Sequence, residues 1–472
     1  MKKTKIIATI GPSSDSPQVF AKLVDAGVNI VRLNFSHGGY EVQQNRINMI
    51  KRYRDETKKP IGILLDTKGP EIRTKTFKGG EATLVQGAQF ILTTRDVDGT
   101  NQMCSITYDG LPNDVKAGDK ILLNDGVILL EVVCVDDTEI VCTVIIGGVA
   151  RDRKLVSVPN ILTTLPVITE RDIQDIEFGI KEGVDFISIS FVRSAQSIKV
   201  VKQILQDKGA EHIKVIAKIQ CSNAIEKLDE IIDAADGVIV ARGTLGVEVP
   251  IAKMPRLQRE IVSRCNRSGK PVIVSTHIIE SMINNPLPTR AEAIDISNSI
   301  NDGADAVMLS GETATGKYPV EAVKMTSSIA IETEETRDYQ ALLEAHRKHK
   351  GNKPADIVAY GACRAADDLA VSAIICPTNT GFTAGVVSKF TPQAPIYALV
   401  YDDRVQRTAN LFSGVEPIMF EQRNEIMPLI KDSIETLKEL GKIKVGDTVL
   451  MTFGIPYSNR QTTNTMKIHI VE

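Results

Sequence analysis

The sequence predicts an α/β protein whose main part is a (β/α)8 barrel, interrupted by a small β domain and followed by a third, α/β domain. Three observations predict this organisation. Eight short apolar runs alternate with helix-like stretches, a long segment of different texture follows the third run, and a polar stretch precedes the last part of the chain. The chain has 472 residues, and at roughly 150 residues per domain this length allows about three domains.

The eight apolar runs are short, rich in β-branched residues and apolar on both faces. Such strands, alternating with helices, are typical of a parallel sheet that is covered on both sides. Eight strand–helix units favour a closed (β/α)8 barrel over the alternative, a doubly wound open sheet. The runs are residues 5–10, 29–35, 61–65, 186–192, 213–219, 237–240, 271–275 and 306–309.

The third and fourth runs are about 120 residues apart, far more than a βα loop needs. Short strands with Asp-Gly and Gly-Gly turns fill this segment and indicate a small antiparallel β domain inserted into the barrel. Residues 345–354, rich in His, Lys and Gly, indicate a linker, and strands and helices alternate again after it. We assign residues 1–69 and 167–344 to the barrel, 70–166 to the insertion and 345–472 to the third domain.

The composition argues against several classes of protein. A net charge of −3 gives no basic excess for binding nucleic acid or an anionic membrane surface. No apolar run approaches the roughly 18 residues of a membrane span, and the apolar stretch after Lys5 is too short for a signal peptide. The 7 cysteines form no C-x-x-C pair, so we expect reduced thiols and a cytoplasmic protein.

Polar side chains follow every predicted barrel strand, at the ends where a barrel enzyme collects its chemistry. The set is rich in cations and small hydroxyls, which suits a polyanionic substrate because Arg and Lys bind phosphate and carboxylate. Its members include Arg32, Arg73, Lys218, Arg242, Ser36, Thr67 and Thr276. The residues alone therefore predict a barrel enzyme that acts on a phosphorylated anion.

Two further features of the strand ends concern ion binding. Residues 243–246 read Gly-Thr-Leu-Gly after a strand. The amides of a short helix that starts here would favour an anion, although an ordinary glycine-rich turn has the same sequence. No Cys/His metal spacing occurs, so a hard cation would need oxygen ligands. Asp66 is the obvious carboxylate, and Glu312 is a second.

Several strings at these strand ends closely resemble pyruvate kinases. Residues 65–74 read LDTKGPEIRT, residues 32–38 read RLNFSHG and residues 308–313 read MLSGET, and the resemblance runs from residue 4 to residue 465. It implies a catalytic barrel, a β-barrel-like lid domain, a C-terminal α/β regulatory domain and usually a homotetramer. It also implies phosphoryl transfer from phosphoenolpyruvate to ADP, giving pyruvate and ATP in the last step of glycolysis, with Mg²⁺ (or Mn²⁺) and usually K⁺.

The resemblance assigns roles to single residues of the barrel mouth. Lys218 matches the lysine that stabilises the transferring phosphoryl group, Arg73 matches a catalytic arginine that contacts phosphate, and Thr276 matches the threonine beside the carbon that is protonated. The substrate-binding residues implied are Arg32, the amides of Gly243 and Thr244, and Thr276.

The resemblance also implies ion and nucleotide sites. The potassium ligands would be Asn34, Ser36, Asp66 and Thr67, and Glu71 matches the glutamate of potassium-requiring members. The nucleotide contacts would be Pro12, Arg32, His37 and Lys154. Residues 378–383 lie where the family binds a phosphorylated effector, although a plain hydrophilic loop would look the same.

The chain departs from the family at the two carboxylates that hold the divalent metal. The family has Glu after Lys-Ile and Asp after Arg-Gly, where this chain has Gln220 and Thr244. A unit charge about 4 Å from another is worth about 4 kcal/mol at an effective dielectric near 20, so we expect weakened turnover. Further departures are Asn124 for Asp and His277 for Gln near the site, and Ser413 for Trp and Gly385 for Arg in the last domain.

Three hypotheses follow for the function. The first is a pyruvate kinase with an altered metal requirement. The second is a catalytically weakened or inactive relative that binds nucleotide or sugar phosphate in a regulatory role. The third is another phosphoenolpyruvate-type barrel enzyme that uses the retained Lys218, Thr276 and arginines.

Overall fold

The computed structural model describes residues 2–423, 425–455 and 463–472. Eight parallel strands close a barrel in the order in which they occur along the chain, which confirms the predicted barrel and excludes the open sheet. Alternate strand residues, among them Ile7 and Phe186, fill the barrel interior, and the others pack under the helices. The strands are Lys5–Thr9, Ile30–Asn34, Gly62–Asp66, Phe186–Ile189, Lys214–Ile219, Gly237–Ala241, Val272–Ser275 and Ala306–Leu309.

Helices cover the outside of the barrel. Their starts follow local sequence signals: Thr169 and Thr289 each form a capping box with an acidic residue three positions later. The long helices are Pro17–Asp25, Tyr40–Thr57, Glu170–Glu182, Ala195–Asp207, Met254–Ser268, Arg290–Asp302 and Pro319–Glu335. Shorter ones are Ser222–Glu226, Leu228–Ala234, Arg242–Glu248 and Gly311–Ala314, with 3-10 turns at Ile251–Lys253 and Glu280–Ile283. In the described ranges, no helix is long and apolar enough to cross a membrane.

The segment between the third and fourth barrel strands forms the predicted small β domain, which we call the lid, with its own core around Phe90. Its seven-stranded and two-stranded sheets are antiparallel except that Gln89–Thr93 pairs in parallel with Met103–Ser105. The strands are Ile72–Arg73, Glu81–Leu84, Gln89–Thr93, Met103–Ser105, Lys120–Leu123, Ile128–Val135, Glu139–Ile146, Gly148–Arg151 and Leu155–Ser157, with a short helix at Leu111–Asp114.

The last part of the chain forms the predicted α/β domain around a five-stranded sheet. Its edge strand Thr465–Ile470 is antiparallel to its neighbour, and the other four strands are parallel. The predicted linker is wrong at its start, because the helix Tyr339–Arg347 extends into it and buries Leu343 in this domain's core. In sheet order the strands are Val415–Met419, Ile396–Val400, Ala373–Pro377, Thr448–Phe453 and Thr465–Ile470. The remaining helices are Pro354–Asp368, Phe382–Ser388, Asp403–Ala409 and Ile426–Glu439. The residue numbers of the domain boundaries stay a prediction.

The C-terminal domain packs against the amino-terminal end of the barrel strands. Arg407 donates to Asp185, the residue before the fourth strand, with an Nε–Oδ1 distance of 2.6 Å. Asn410 donates to the carbonyl of Pro60, before the third strand, at 2.9 Å. These contacts leave the opposite end of the barrel, where the polar side chains lie, to the lid.

Candidate active site

The strand register brings polar side chains to one height at the barrel mouth. Asp66, at the end of the third strand, is paired in register with Asn34 on the second strand and with Ser188 on the fourth. Side chains two residues apart along a strand face the same side, so Ser190 continues the row that Ser188 begins. A cavity of about 250 Å³ lies between this layer and the lid.

Most of the predicted site residues line this cavity. The barrel contributes Arg32, Asn34, Ser36, His37, Asp66, Thr67, Ser190, Phe191, Lys218, Gln220 and Thr244. The lid and the segment leading into it contribute Lys68, Glu71, Arg73, Asp125, Lys154 and Leu155. Among the predicted residues, Pro12, Arg242, Gly243, Thr276 and Glu312 are not part of this lining.

Asp66 is the centre of a buried charge cluster. The Lys218 ammonium lies 3.0 and 3.1 Å from its two carboxylate oxygens and 2.9 Å from the Ser190 hydroxyl. Arg32 donates to the same carboxylate from Nε at 2.7 Å and to Thr9 Oγ1 from Nη1 at 3.0 Å. Burial would raise the pKa of Asp66, but Lys218 and Arg32 together lower it to about 2. Burial is also the main reason that the pKa of Lys218 is lowered. One ionised carboxylate therefore holds two cations at the floor of the cavity.

A second carboxylate orients Arg73 at the rim. Glu71 accepts two hydrogen bonds from Arg73, at 2.6 and 2.8 Å, and Arg73 also donates to the carbonyl of Arg153 at 2.6 Å. The hydrogen bonds to Glu71 raise the pKa of Arg73. Lys68 completes the group, with its ammonium 3.4 Å from Glu71. A bidentate pair fixes the plane of a guanidinium, so Arg73 is positioned before any ligand arrives.

The turn after the seventh barrel strand has a strained backbone. Thr276 and His277 have φ angles of 66° and 52°, a region that costs about 1 kcal/mol or more for residues with a Cβ. Arg242 stabilises the turn by donating to the carbonyls of both residues. Thr276 Oγ1 accepts the amide of Gly243 at 2.6 Å and donates to the carbonyl of Ser275. The predicted hydroxyl and the predicted Gly243 amide are therefore paired with each other.

The two positions matched to divalent-metal ligands do not form a metal site. Gln220 is buried, and its Oε1 accepts the backbone amide of Phe191 at 2.8 Å. Its side chain is thus a neutral amide whose oxygen already accepts one hydrogen bond, and Thr244 offers only a neutral hydroxyl. Within the ranges that the structure describes, no group of three or more His, Cys, Asp or Glu residues could hold a metal ion. These two positions do not fit Mg²⁺ or Mn²⁺, because neither supplies the carboxylate through which a protein usually binds such an ion.

The four residues predicted to bind potassium do fit a monovalent cation. Asn34, Ser36, Asp66 and Thr67 all line the cavity and supply amide, hydroxyl and carboxylate oxygens, which hard cations prefer. Internal hydrogen bonds order these groups. Asn34 Oδ1 accepts the Ser36 amide at 3.1 Å, and the Thr67 carbonyl accepts the Ser190 hydroxyl at 2.6 Å.

The predicted nucleotide contacts are spread along the rim. His37 lines the cavity from the barrel and Lys154 from the lid, whereas Pro12 is exposed outside it. The Lys154 amide donates to Thr74 Oγ1 at 3.0 Å, which anchors this lid residue beside the cavity.

Several residues of the site, among them Ser188, Ser190, Asp125 and Phe191, were not predicted from the sequence. Ser188 donates to Asp66, Ser190 accepts a hydrogen bond from Lys218, and Asp125 lines the cavity from the lid. The two serines had a usable signal, because they alternate with isoleucines at the end of an otherwise apolar strand. Phe191 had none, because its contribution is a backbone amide in a residue with φ of 55°.

The predicted effector loop, residues 378–383, is packed internally at its end. The hydroxyls of Thr383 and Thr463 lie 2.9 Å apart, and both side chains are buried. A Cβ on the neighbouring Gly385 would meet the Phe412 ring at 2.8 Å. The position that the resemblance matches to an arginine therefore has no space for a side chain while Phe412 keeps its place.

Comparisons with known proteins agree with the fold and the strand-end motifs. The family profile for the pyruvate kinase barrel domain matches residues 1–323, and the profile for the pyruvate kinase alpha/beta domain matches residues 356–469. The pyruvate kinase of Clostridium acetobutylicum is 41% identical over 473 residues, with 100% of both chains covered. That of Geobacillus stearothermophilus is 43% identical over 472 residues, which cover 100% of this chain and 80% of its own.

A crystal structure of a pyruvate kinase from Cryptosporidium parvum has the same architecture. It matches with a TM-score of 0.94 and 34% identity, covering 100% of this chain and 96% of the other. The similarity thus spans the barrel, the lid and the C-terminal domain together. The chain belongs to the pyruvate kinase family, a family of phosphotransferases.

Proposed function

We propose that this protein transfers a phosphoryl group from phosphoenolpyruvate to ADP, giving pyruvate and ATP in the last step of glycolysis. The observation that carries the proposal is the Lys218 ammonium, held 3.0 Å from Asp66 at the floor of the cavity. An ammonium fixed there would stabilise the charge that develops on the phosphoryl and enolate oxygens. Asp66 and Ser190 thus set the position of the ammonium before the substrate arrives.

The remaining residues would position the two substrates. Arg32 on the floor and Arg73 on the rim would bind the phosphate of phosphoenolpyruvate. Thr244 would hold its carboxylate and Thr276 would lie at its methylene end, and the Gly243 amide would join them on leaving Thr276 Oγ1, to which it donates at 2.6 Å. The nucleotide would lie along the rim, beside Pro12, Arg32, His37 and Lys154.

The family generally depends on K⁺ and Mg²⁺, and the residues of this chain suit K⁺ better than Mg²⁺. K⁺ bound to Asn34, Ser36, Asp66 and Thr67 would supply positive charge beside the phosphate. Gln220 and Thr244 do not fit a divalent cation, so this proposal contains no step that depends on one.

A second candidate function is a weakened or inactive relative that binds nucleotide or sugar phosphate in a regulatory role. The observation that favours it is the Gln220 oxygen, which is engaged by Phe191 where the family has a metal ligand. In either case, the loop at residues 378–383 would be the place for a phosphorylated effector.

We further propose that the protein acts in the cytoplasm as a homotetramer, the assembly usual for its family. The edge strand Thr465–Ile470 exposes Met466, Ile468 and Ile470 on one face. A second copy would cover this apolar stripe, which an isolated sheet edge would leave open to water. The cysteines are all free, which suits a reducing compartment.

Pyruvate formation from phosphoenolpyruvate and ADP separates the two candidate functions. We expect turnover by the wild type. Lys218→Met should lower kcat by about a hundredfold or more at nearly unchanged substrate affinity, because the charge develops in the transition state. Lys202→Met, which removes a surface ion pair with Asp236, should change neither. A wild type that binds nucleotide but forms no pyruvate would support the regulatory role.

A further inference from the structure

The Gln220 side-chain amide has a defined orientation. The backbone N–H of Phe191 is a donor, so the atom that meets it at 2.8 Å must be Oε1, and the NH₂ group points elsewhere. Gln220 lines the cavity. In the part of the chain that the structure describes, its NH₂ group makes no hydrogen bond, and it is not sealed off as a buried unpaired atom. Gln220 therefore offers the cavity a hydrogen-bond donor, where a carboxylate would offer an acceptor.

Two neighbouring groups offer donors to the same space. Lys218 lies two residues before Gln220, and side chains with this spacing on extended chain face the same side. Both residues line the cavity, as does the hydroxyl-bearing Thr244 from the next strand end. The three groups together are suited to oxygen atoms of a ligand and unsuited to a cation.

The charge of the cavity lining also favours an anionic ligand over a cation. Five cationic and three carboxylate side chains line it, so two positive charges are left unbalanced. Carboxylates at positions 220 and 244 would cancel this excess. The cationic residues are Arg32, Lys68, Arg73, Lys154 and Lys218, and the carboxylates are Asp66, Glu71 and Asp125. A lining of this charge attracts a phosphate dianion and repels a divalent cation.

We infer that the protein binds the phosphoryl group of its substrate directly, with Lys218 and the Gln220 NH₂ group donating to phosphoryl oxygens and no divalent cation between them. The inference rests on the proposed function for the identity of the substrate, and it adds that substrate binding is independent of metal. An amide donor replaces only part of the charge that a metal brings. The arrangement therefore favours binding of phosphoenolpyruvate over its rapid turnover.

The first arm of the test measures metal binding alone, by the electron paramagnetic resonance signal of free Mn²⁺ titrated with protein. The wild type should leave the Mn²⁺ signal unchanged. The double variant Gln220→Glu with Thr244→Asp should bind the ion, because it supplies two carboxylates. Tight Mn²⁺ binding by the wild type would overturn the inference and leave the proposed function standing.

The second arm measures phosphoenolpyruvate binding by calorimetry, in excess chelator and then in Mg²⁺. The wild-type Kd should agree within about twofold between the two conditions. Gln220→Glu should weaken binding in chelator by about tenfold or more, because a carboxylate replaces a donor to the phosphoryl group, and Mg²⁺ should reverse the loss. Gln206→Glu, which adds the same charge at an exposed position on an outer helix, should match the wild type.

The outcomes separate this inference from the function on which it rests. Wild-type binding that tightens about tenfold or more with Mg²⁺, or Gln220→Glu binding that is unchanged in chelator, overturns the inference alone. Metal-independent binding without pyruvate formation supports the inference and overturns the proposed catalysis. No phosphoenolpyruvate binding in either condition overturns both. Gln220→Met keeps the test informative should Gln220→Glu fail to fold, because it removes the donor without adding charge and should weaken binding equally in both conditions.

Discussion

Gln220 and Thr244 differ from the carboxylates of the family by a few atoms each, so their reversal changes charge with little change of shape. In Gln220→Glu, one carboxylate oxygen can still accept the Phe191 amide while the other is free for a metal. We therefore predict that Gln220→Glu with Thr244→Asp raises kcat at least about a hundredfold, on the order of 3 kcal/mol of barrier, and makes turnover depend on Mg²⁺. Steady-state kinetics across a Mg²⁺ titration checks this. No gain would mean that Asn124 or His277 had already disabled the site.

The sequence could predict which side chains meet but not how each is oriented. Arg32, Asp66 and Lys218 were expected together because the carboxyl ends of parallel strands share one edge, and the structure places all three around one cavity. The direction of the Gln220 amide depends on the backbone of Phe191, with φ of 55°, which no residue pattern encodes. The pairing of Thr276 with Gly243 likewise follows from a left-handed turn.

At the scale of single elements, Arg242 stabilises the turn after the seventh strand by hydrogen bonds to its backbone. Its planar guanidinium donates to two successive carbonyls and to Asp295 at 2.6 Å. Lysine cannot reproduce this fork. We predict that Arg242→Lys lowers kcat/KM by about tenfold or more, since the Thr276 hydroxyl is displaced. Arg259→Lys, on an exposed ion pair with Asp302, is the control. Equal kinetics for the two variants would show that the turn does not depend on the guanidinium of Arg242.

The short helix Arg242–Glu248 ends at a buried carboxylate between barrel and lid. Burial raises the pKa of Glu248 from 4.5 to about 7, although Ser222 of the barrel, which donates to Glu248 at 3.5 Å, and Ser157 of the lid act in the opposite direction. The folded protein thus favours the protonated acid. The stability that this site contributes is complete below about pH 4.5 and is lost as the pH rises through about 7.

The raised pKa of Glu248 gives a prediction for thermal unfolding. Glu248→Gln keeps a neutral side chain beside both serines. As the pH rises from about 6 to about 8, the Tm of the wild type should therefore fall relative to the Tm of Glu248→Gln. Glu226→Gln, at an exposed position of the neighbouring helix, should follow the wild type. A constant difference between Glu248→Gln and the wild type across this range would show that Glu248 does not titrate there.

Strands and helices with a regular pattern of apolar residues were predicted better than the segments that connect them. The eight barrel strands were recognisable because buried parallel strands are apolar on both faces. The helix Tyr339–Arg347 was missed in part, because its polar His and Lys residues look like a linker and its single buried residue, Leu343, packs into the core of the C-terminal domain. The parallel pairing of Gln89–Thr93 with Met103–Ser105 also depends on a connection that the alternation of residues does not reveal.

At the scale of the whole molecule, the edge strand of the C-terminal domain is the surface to test for assembly. Ile468 is 47% exposed in the middle of its apolar stripe. We predict that Ile468→Asp weakens subunit association by about a hundredfold, because a carboxylate would be buried in an apolar contact. Sedimentation velocity should then show smaller species. Met427→Asp, at an exposed methionine on a helix, should leave the assembly intact, and an unchanged Ile468→Asp profile would place the contact elsewhere.

The fourth barrel strand connects two sites that the chain places at opposite ends of the barrel. Asp185, before the strand, receives Arg407 of the C-terminal domain, and Phe191, after it, supplies the amide that fixes Gln220. The strand Phe186–Ile189 has 4 residues, which span about 13 Å, and it is buried and bonded to a neighbour on each side. Such a segment is stiff along its length. A displacement of the C-terminal domain at Asp185 would therefore act on the Phe191 amide, and through it on the direction in which the Gln220 side chain faces the cavity.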